Sequence, residues 1–373
     1  MPWKSRWTVD IPSVDLSTYV FPKQTGPLGD KPLIIDAERP EYHLTHTTYR
    51  DWCKRFAAGL VKNGFKPGDR LLLFSGNAIF FPVVFHAAIM AGGIFSGANP
   101  GYVSRELAYQ LQDTGAKFLI TADASLDTSL DAAKSIGFPR DRIFTFDAGY
   151  DTMDGTGKEI QGIKHWSSLF ASPEEGHNFQ WKTLSSPADL KRTVCLNYSS
   201  GTTGVPKGVE ITHGAYVANS TQVIFAAKLL PDEEEWNKIA KYLCFLPMLV
   251  SFQTLCEWSL MISRYHAYGQ TYFCCTAVVR SVPVYYMQKF DFLKMLQYIE
   301  RFRITTLTLV PPIAIALAKR PETKKFDLSS VTFAGSGAAP LSLDSAREVE
   351  TVFPAGQVNV KQVCLPLDPS KHP

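Results

Sequence analysis

A stretch of hydroxyl side chains and glycines, with one lysine, carries the residue types that bind phosphate. Residues 197–213 read NYSSGTTGVPKGVEITH. Glycine lets the backbone approach a ligand closely, and serine and threonine hydroxyls, together with backbone N–H groups, donate hydrogen bonds to anionic oxygens. Lys207 can neutralise such oxygens as a point charge, although a single lysine is often only a solvated surface side chain. The stretch predicts a phosphate-binding loop.

The spacing within this stretch differs from the phosphate loop of the common nucleoside triphosphatases. That loop reads G-x-x-x-x-G-K-[ST] and opens a helix. Here Lys207 follows Pro206, and Gly208 stands where a serine or threonine is required. A strand is expected at 209–212, directly after the loop, so no helix N-terminus is aimed at the ligand. A kinase or ATPase of that type is therefore disfavoured.

Residues 198–213 resemble the signature of the adenylate-forming enzymes, which include acyl-CoA synthetases, 4-coumarate–CoA ligases, luciferases and peptide-synthetase adenylation domains. Similar segments at 64–70, 99–121 and 333–342 extend the resemblance over about residues 30 to 362. The resemblance implies that a carboxylate attacks ATP to give acyl-AMP and pyrophosphate, and that coenzyme A then displaces AMP. It implies ATP, Mg²⁺ and coenzyme A as cofactors, and an aryl or fatty carboxylic acid as substrate.

The resemblance also assigns roles to particular residues. The β- and γ-phosphates of ATP would be held by Ser199, Ser200, Gly201, Thr202, Thr203, Gly204 and Lys207. Lys207 would also act in catalysis. The adenylate would be bound by Gly337, Ala338, Ala339 and Gln362. Physically, Gly335 and Gly337 would let a flat base lie against the backbone, although the same residues could form a plain entry into a helix. No residue is assigned as a metal ligand.

The segment that should border the acyl pocket is interrupted. The related enzymes read L-P-M-[FY]-H-x-Y-G, whereas here LPM (246–248) and YHAYGQ (265–270) are separated by sixteen mostly apolar residues, 249–264. Without them, His266 would take the catalytic and substrate-binding position and Tyr268 a substrate-binding one. The inserted residues begin with Val-Ser, which the intron start GTAAGT would encode, so we hypothesise a retained intron; a genuine loop insertion is the alternative.

A second lysine is a further substrate-binding candidate. Lys289 lies in MQKF (287–290), which resembles the segment whose lysine reaches the acyl-adenylate in the plant ligases. The alternative is that Lys289 is simply exposed, as most lysines in such segments are.

The sequence departs from the pattern again after Gln362, where the related enzymes have a [GY]-x-G-x-T-E motif. Residues 363–373 read VCLPLDPSKHP, and Val-Cys is what the intron start GTATGT would encode. We expect the C-terminal lid domain and much of the β-barrel to be absent, and the chain to be inactive through truncation. The alternative is a non-catalytic ATP-binding remnant or mis-spliced product. A phosphotransferase, which would release ADP, is improbable because the loop does not match.

The elements that must position these residues alternate between helices and short buried strands. Helical spacing marks residues 47–65, 104–116 and 290–304, and apolar strands are expected at 117–121, 193–198, 241–247 and 331–337. This alternation predicts an α/β fold with mostly parallel sheets, in two α/β subdomains. We divide the chain into 1–190, 191–362 with the aberrant insertion, and a tail at 363–373 outside the family pattern. Residues 150–190 are polar and are expected to form a surface excursion.

Composition narrows the location and the partners. The net charge is +3 and the charges are scattered, so no nucleic-acid groove is indicated. The seven cysteines form no C-x-x-C pair, which favours a reducing compartment. The N-terminus has no secretory h-region. The apolar run at 78–98 could imitate a membrane span, but we predict a buried helix followed by a strand. A cytoplasmic or peroxisomal protein is expected, neither secreted nor membrane-spanning.

Overall fold

The computed structural model describes residues 6–147, 157–199, 206–229, 232–246, 248, 269–337 and 340–363, with the backbone alone at positions 199, 362 and 363. Within these residues the strands form two sheets, and helices pack on them. The strands are β1 Pro32–Asp36, β2 His43–Thr45, β3 Arg70–Phe74, β4 Ile94–Ala98, β5 Phe118–Ala122, β6 Ile143–Phe146, β7 Thr193–Ser199, β8 Lys207–Thr212, β9 Tyr242–Cys244, β10 Val284–Tyr286, β11 Thr306–Leu309, β12 Phe333–Gly337 and β13 Val360–Val363.

Both sheets are mixed but mostly parallel. The six-stranded sheet has the order β6-β5-β3-β4-β7-β8, and the only antiparallel pair among its described strands is β7 with β8. The seven-stranded sheet has the order β13-β12-β11-β9-β10-β1-β2, and there the antiparallel pair is β1 with β2. The predicted α/β class with mostly parallel sheets is confirmed.

The helices alternate with these strands along the chain. They are α1 Leu16–Val20, α2 His46–Lys62, α3 Phe81–Met90, α4 Ser104–Thr114, α5 Leu126–Ile136, α6 Pro173–Asn178, α7 Pro187–Leu190, α8 His213–Lys228, α9 Glu233–Ile239, α10 Ala277–Val279, α11 Phe292–Phe302, α12 Pro311–Lys319 and α13 Leu343–Glu350. A π-helix at Gln270–Thr276 leads into α10. Short 3₁₀ turns lie at Asp123–Ser125, Arg140–Arg142, Trp166–Leu169 and Pro321–Lys325.

Local signals in the sequence explain where several helices begin and end. Before α2, the Thr45 hydroxyl accepts a hydrogen bond from the backbone N–H of Thr48, which satisfies a donor that the first turn leaves unpaired. Gly115 follows α4 with φ of +61°, in the left-handed conformation that glycine adopts most easily. Thr212 caps α8 in the same way as Thr45 caps α2, by accepting from the N–H of Ala215.

The apolar run at 78–98 is a buried helix followed by a strand, as predicted. Every residue of α3 is buried, from Phe81 to Met90, and β4 follows at Ile94. The helix packs against α2 and lies on the six-stranded sheet, so its all-round apolar surface is covered by protein. In the part of the chain that is described, no helix combines the length and the hydropathy that a membrane span requires.

Each sheet is built from both parts of the chain. Strands β1 and β2 join β9 to β13, while β7 and β8 join β3 to β6. The division between the sheets therefore does not coincide with the expected division of the chain at residue 190, which stays a prediction about domain organisation. Strand β13 extends one residue past Gln362, to Val363. The remainder of the expected tail, and the whole of 249–264, lie outside the described residues.

The expectation of a surface excursion at 150–190 was wrong for the described part of that segment. Trp166 is completely buried, and its ring contacts those of Phe56, Phe80 and Phe146. Trp181 is also buried. These apolar residues are spaced among polar ones without the periodicity of a helix or a strand, so the sequence pattern concealed them. The segment covers one face of the core instead of projecting from it.

Candidate functional site

The carboxyl ends of the two sheets meet where β3 ends. Asn77, which follows β3, donates from its amide nitrogen to the carbonyl of Leu246 at 3.0 Å and accepts from the N–H of Met248 at 2.9 Å. Leu246 and Met248 follow β9 in the other sheet. Nearby, a Cβ on Gly76 would lie 3.5 Å from the carbonyl of Gln288, which follows β10. Ligands of open α/β sheets bind at the carboxyl ends of the strands, so this junction is the candidate site.

The predicted phosphate-binding residues lie at the loop end of the β7–β8 hairpin, where the two strands are connected. Ser199 pairs with Lys207 across the hairpin, and Tyr198 pairs with Gly208. Lys207 is exposed there, on the first residue of β8. The connecting motif residues Ser200, Gly201, Thr202, Thr203 and Gly204 lie outside the described residues. The hairpin thus sets the two ends of the predicted phosphate site side by side, with the lysine at its margin.

Gly208 lies close to the tyrosine opposite it. A Cβ at this position would lie 3.2 Å from the Tyr198 ring, which is tighter than ordinary packing allows. The Tyr198 hydroxyl donates to Oδ2 of Asp113 on α4 at 2.5 Å. Burial, with the Asp113 carboxylate beside it, raises the pKa of Tyr198 well above its ordinary value, so the phenol remains a proton donor. On the same helix, the Tyr109 hydroxyl donates to the Pro206 carbonyl at 3.0 Å.

A buried polar network joins β7 to the chain that follows the interrupted acyl-pocket segment. Gln270 and Asn197 exchange two amide hydrogen bonds, at 3.0 and 3.2 Å. The Tyr216 hydroxyl donates to Oε1 of Gln270 at 2.7 Å. Burial raises the pKa of Cys195 to about 12, so its thiol stays protonated and donates to Oδ1 of Asn197 at 3.4 Å. The network fixes Asn197, the first residue of the stretch 197–213, relative to Gln270.

The two flanks of the predicted insertion come together in space. A Cβ on Gly269 would lie 3.5 Å from the Cα of Met248. The Cys274 thiol lies 3.9 Å from the Met248 sulfur. Residues 249–268 therefore leave and re-enter the described structure at nearly one place. His266 and Tyr268, the predicted catalytic and substrate-binding residues of this segment, fall within that interval and outside the described residues.

The predicted adenine-binding strand is β12. It pairs in parallel with β13, so that Ser336 lies opposite Gln362 and Gly337 opposite Val363. Ala338 and Ala339 lie outside the described residues. The Ser336 hydroxyl is buried and has no hydrogen-bond partner among the described residues, which leaves a polar atom available to a ligand. Gly337 and Gln362 thus lie close together on adjacent parallel strands, while their role in binding the adenylate stays a prediction.

Gly335 lies beside an aromatic side chain of its own strand, and its predicted role beside the adenine stays a prediction. The ring of Phe333 lies 3.2 Å from where a Cβ on Gly335 would stand. The two residues lie on the same face of β12, since side chains two positions apart in a strand project to the same side. A side chain at position 335 would therefore crowd the Phe333 ring.

Lys289 lines a cavity of about 260 Å³ at the carboxyl end of β10. Glu38, Gln288 and Asp291 also line it, and Lys294 reaches across to Glu38 at 2.8 Å. The Gln288 amide donates to the Asp36 carboxylate at 3.0 Å, which ties this turn to β1. Among the described residues, no hydrogen bond or ion pair joins Lys207, Gly337 and Lys289 to one another. Lys289 nevertheless lies near the sheet junction, because a Cβ on Gly76 would lie 3.5 Å from the carbonyl of the preceding residue, Gln288.

The described residues do not form a dedicated metal cage. No group of three or more histidine, cysteine, aspartate or glutamate side chains comes together in the ranges described. Mg²⁺ bound with a nucleotide is usually held by phosphates, waters and only one or two carboxylates. We therefore assign no described residue to Mg²⁺.

Sequence reasoning missed the residues that support the site. Tyr109 and Asp113 lie in the family-like segment 99–121 and Gln270 in YHAYGQ, but nothing in those segments indicated their hydrogen-bond partners, which lie far away along the chain. The spacing of Tyr109 and Asp113 does place them on one face of α4. Asn77 could be suspected from its position directly after a strand, where a polar residue reaches the sheet junction.

Comparisons with known proteins identify the class to which this fold and site belong. Phenylacetyl-CoA ligase epaB of Aspergillus niger is 31% identical over 344 residues, covering 91% of this chain and 58% of that protein. 4-Coumarate–CoA ligase 3 of Arabidopsis thaliana is 31% identical over 338 residues, covering 89% of this chain and 53% of that protein. The chain thus spans little more than half the length of these relatives.

Solved structures show the same fold. The luciferase-like enzyme from the nonluminescent mealworm Zophobas morio superposes with a TM-score of 0.73 at 17% identity, covering 95% of this chain and 72% of that one. A red-emitting luciferase from Phrixothrix hirtus gives 0.71 at 23% identity, covering 93% and 60%. The architecture is that of the N-terminal domain of adenylate-forming enzymes. The AMP-binding enzyme family matches residues 21–363, and the chain belongs to it.

Proposed function

We propose that this chain is part of an AMP-forming acid–CoA ligase. In the proposed reaction a carboxylate attacks the α-phosphorus of ATP, pyrophosphate leaves, and the thiol of coenzyme A then displaces AMP from the acyl-adenylate. The observation that carries the proposal is the motif at 198–213, which forms the end of β7, the connecting loop and β8 in an AMP-binding fold. The chain spans 58% of the first relative, so the activity of the whole protein is inferred.

The proposed work of the chain's own residues is to bind and orient the nucleotide. Lys207, exposed beside Ser199, would offset the charge of the β- and γ-phosphates as pyrophosphate departs. The hydroxyls and N–H groups of residues 199–204 would donate to the same oxygens. Gly337, Ala338, Ala339 and Gln362 would hold the adenylate at the ends of β12 and β13. Mg²⁺, when bound, would supply further neutralisation of phosphate charge.

The proposed substrate is an aromatic carboxylic acid. By their names, the relatives from A. niger and A. thaliana activate phenylacetate and 4-coumarate. In this chain His266 and Tyr268 would border the acyl group, and Lys289 would approach the carboxylate side from the cavity at the end of β10. Asn77 supports this region, because it fixes the backbone at Leu246 and Met248.

A reducing compartment, the cytoplasm or the peroxisome, is the proposed location. The cysteines of the described ranges carry free thiols and are buried: Cys53, Cys195, Cys244, Cys274 and Cys275. Burial raises the pKa of each of these thiols, which keeps them protonated and unreactive. Unpaired thiols throughout a core are typical of proteins that fold without disulfides.

A second candidate function is nucleotide binding without turnover. Two departures from the related sequences favour it, the sixteen residues at 249–264 and the change of pattern after Gln362. In that case the chain would bind ATP through the motif but would not form acyl-AMP. A phosphotransferase is disfavoured, because Gly208 stands where a serine or threonine would be needed and β8 follows the motif directly.

Carboxylate-dependent exchange of labelled pyrophosphate into ATP distinguishes these functions. The ligase proposal predicts exchange that requires an acid such as phenylacetate or 4-coumarate, with AMP as the nucleotide product. Binding without turnover predicts measurable ATP affinity and no exchange. Acid-dependent release of ADP would contradict both. A variant lacking residues 249–264 is assayed in parallel, because closing the acyl-pocket segment is expected to restore exchange if the insertion alone blocks it.

A further inference from the structure

Helix α4 presents two side chains to the β7–β8 hairpin from one face. Tyr109 and Asp113 are four residues apart, so they lie one above the other on the helix surface. The Tyr109 hydroxyl donates to the carbonyl of Pro206 at 3.0 Å. The Asp113 carboxylate accepts from the hydroxyl of Tyr198 at 2.5 Å. One helical face therefore holds one residue from each side of the hairpin.

The two residues that α4 holds flank the motif residues 200–205. Tyr198 lies in β7 two positions before this segment, and Pro206 directly follows it. Proline has no N–H and cannot donate to a strand ladder, so only its carbonyl is available for a backbone hydrogen bond. The Tyr109 hydroxyl donates to this carbonyl, directly before β8 begins. The separation of the two strand ends is defined by α4 as well as by the hairpin itself.

Helix α4 is itself firmly attached to the sheet beneath it. The buried amide of Gln110 donates to the Ser96 hydroxyl at 3.0 Å and to the carbonyl of Gly97 at 2.9 Å, both in β4. The Ser96 hydroxyl in turn donates to the carbonyl of Leu196 in β7 at 3.0 Å. The carboxylate of Glu106 accepts from the N–H of Val103 and closes the first turn. A fixed helix of this kind can transmit its position to the hairpin.

The hairpin needs such support because β8 is an edge strand. Among the described strands β8 pairs only with β7, and its first four residues, from Lys207 to Glu210, are exposed. Edge strands lack a ladder on one side and are held less firmly than central strands. Binding a polyphosphate between two strand ends is favoured when those ends are already at the right separation, because less ordering accompanies binding.

We propose that Tyr109 and Asp113 are positioning residues for the phosphate site, which fix the separation of the two strand ends joined by residues 200–205. This inference rests on the proposed role of residues 198–213 in binding ATP. Neither residue touches the nucleotide in this account. Their contribution should therefore be visible in the affinity for the β- and γ-phosphates and should be small for AMP, which lacks them.

The test compares ATP and AMP affinities, by titration calorimetry, in variants of the full chain. Tyr109→Phe removes only the hydroxyl, and Asp113→Leu removes the acceptor while Asp113→Asn keeps an oxygen for Tyr198. Tyr49→Phe is the matched control, because the Tyr49 hydroxyl donates to the carbonyl of Pro82 at 3.2 Å, also from a helix but within the core. Thermal unfolding of each variant reports stability separately.

We expect Tyr109→Phe and Asp113→Leu each to weaken ATP binding about fivefold, the loss that one hydrogen bond produces. AMP binding should change less than twofold. Asp113→Asn and Tyr49→Phe should bind ATP as the unsubstituted chain does, even where Tyr49→Phe lowers the melting temperature. ATP affinity within twofold of the unsubstituted chain in both variants, or equal losses for ATP and AMP, would overturn the inference. Failure of the unsubstituted chain to bind ATP would contradict the proposed function itself, and the inference with it.

Discussion

Removing residues 249–264 should leave the fold intact and make it more stable. The Cα of Met248 lies 3.5 Å from the Cβ position of Gly269, so the two Cα atoms are about 5 Å apart. Twenty residues, 249–268, now join these points, and four, 265–268, would join them after the deletion. Four residues easily span that distance, and Asn77 still holds the backbone at Leu246 and Met248.

The size of the stabilisation follows from loop closure. The entropic cost of closing a flexible connection grows with the logarithm of its length, so shortening it from twenty to four residues should stabilise the fold by about 1.4 kcal/mol. The denaturant dependence should stay nearly unchanged, because residues outside the core add little to the surface newly exposed on unfolding. Both effects are expected only if residues 249–264 make no contribution to the core.

Urea unfolding, followed by circular dichroism, measures this change in three proteins. These are the unsubstituted chain, the deletion variant, and a control in which a glycine–serine linker of the same length replaces 249–264. The control should be as stable as the unsubstituted chain, and the deletion variant should be more stable than both. Loss of cooperative unfolding in the deletion variant, or a fall in stability in both variants, would show that 249–264 pack into the core and would refute the reasoning.

Three further predictions concern the buried network, a buried histidine and the second lysine. Gln270→Leu should lower the free energy of unfolding by about 3 kcal/mol and Tyr216→Phe by about 1 kcal/mol. The double variant should lose less than the sum, because the two residues share a hydrogen bond. Additive losses, measured by urea unfolding, would show that the two residues are not coupled in one network. Burial lowers the pKa of His86 to about 4. Because the unfolded chain binds a proton at His86 below about pH 6.5 and the folded chain does not, stability should be complete above that pH and fall by up to about 3 kcal/mol towards pH 4. His86→Gln should remove this part of the pH dependence. An unchanged slope of the free energy of unfolding against pH would show that His86 does not cause it. Lys289→Ala should weaken binding of an aromatic carboxylate and leave ATP affinity unchanged in calorimetry, since Lys289 lines the cavity at the end of β10; the reverse pattern would place Lys289 in the nucleotide site.

The elements that the sequence predicted correctly are those whose signals are local. The helices predicted at 47–65 and 104–116 are confirmed as α2 and α4, whose ends at Thr45 and Gly115 are set by chemistry that acts over a few residues. The helical spacing at 290–304 is confirmed as α11, whose buried face includes Phe292, Met295, Leu296 and Ile299. Parallel sheets followed from the alternation of helices and strands. These features depend on neighbours in sequence, so the sequence alone specifies them.

The features that were missed depend on contacts between distant residues. Tyr109 and Pro206 are 97 positions apart, and Asn197 and Gln270 are 73 positions apart. Nothing near either residue of a pair indicates the other. The burial of Trp166 has the same origin, because its partners Phe56 and Phe80 lie far earlier in the chain, in α2 and directly before α3. The approach of the Phe333 ring to Gly335 was not indicated by the sequence either, because the glycine pattern alone does not show which neighbour it accommodates.

The affinity of the chain for ATP, compared between the unsubstituted protein and Lys207→Gln, tests the central claim most directly. Lys207 is the first residue of β8 and is exposed, so the substitution should not disturb the core. Loss of a charge-assisted hydrogen bond to phosphate should weaken ATP binding about tenfold or more and leave AMP binding nearly unchanged. Lys134→Gln, at an exposed lysine on α5, is the matched control and should have no effect. Equal ATP affinity in all three proteins, or no ATP binding by the unsubstituted chain, would contradict the assignment of residues 198–213 as an ATP phosphate site.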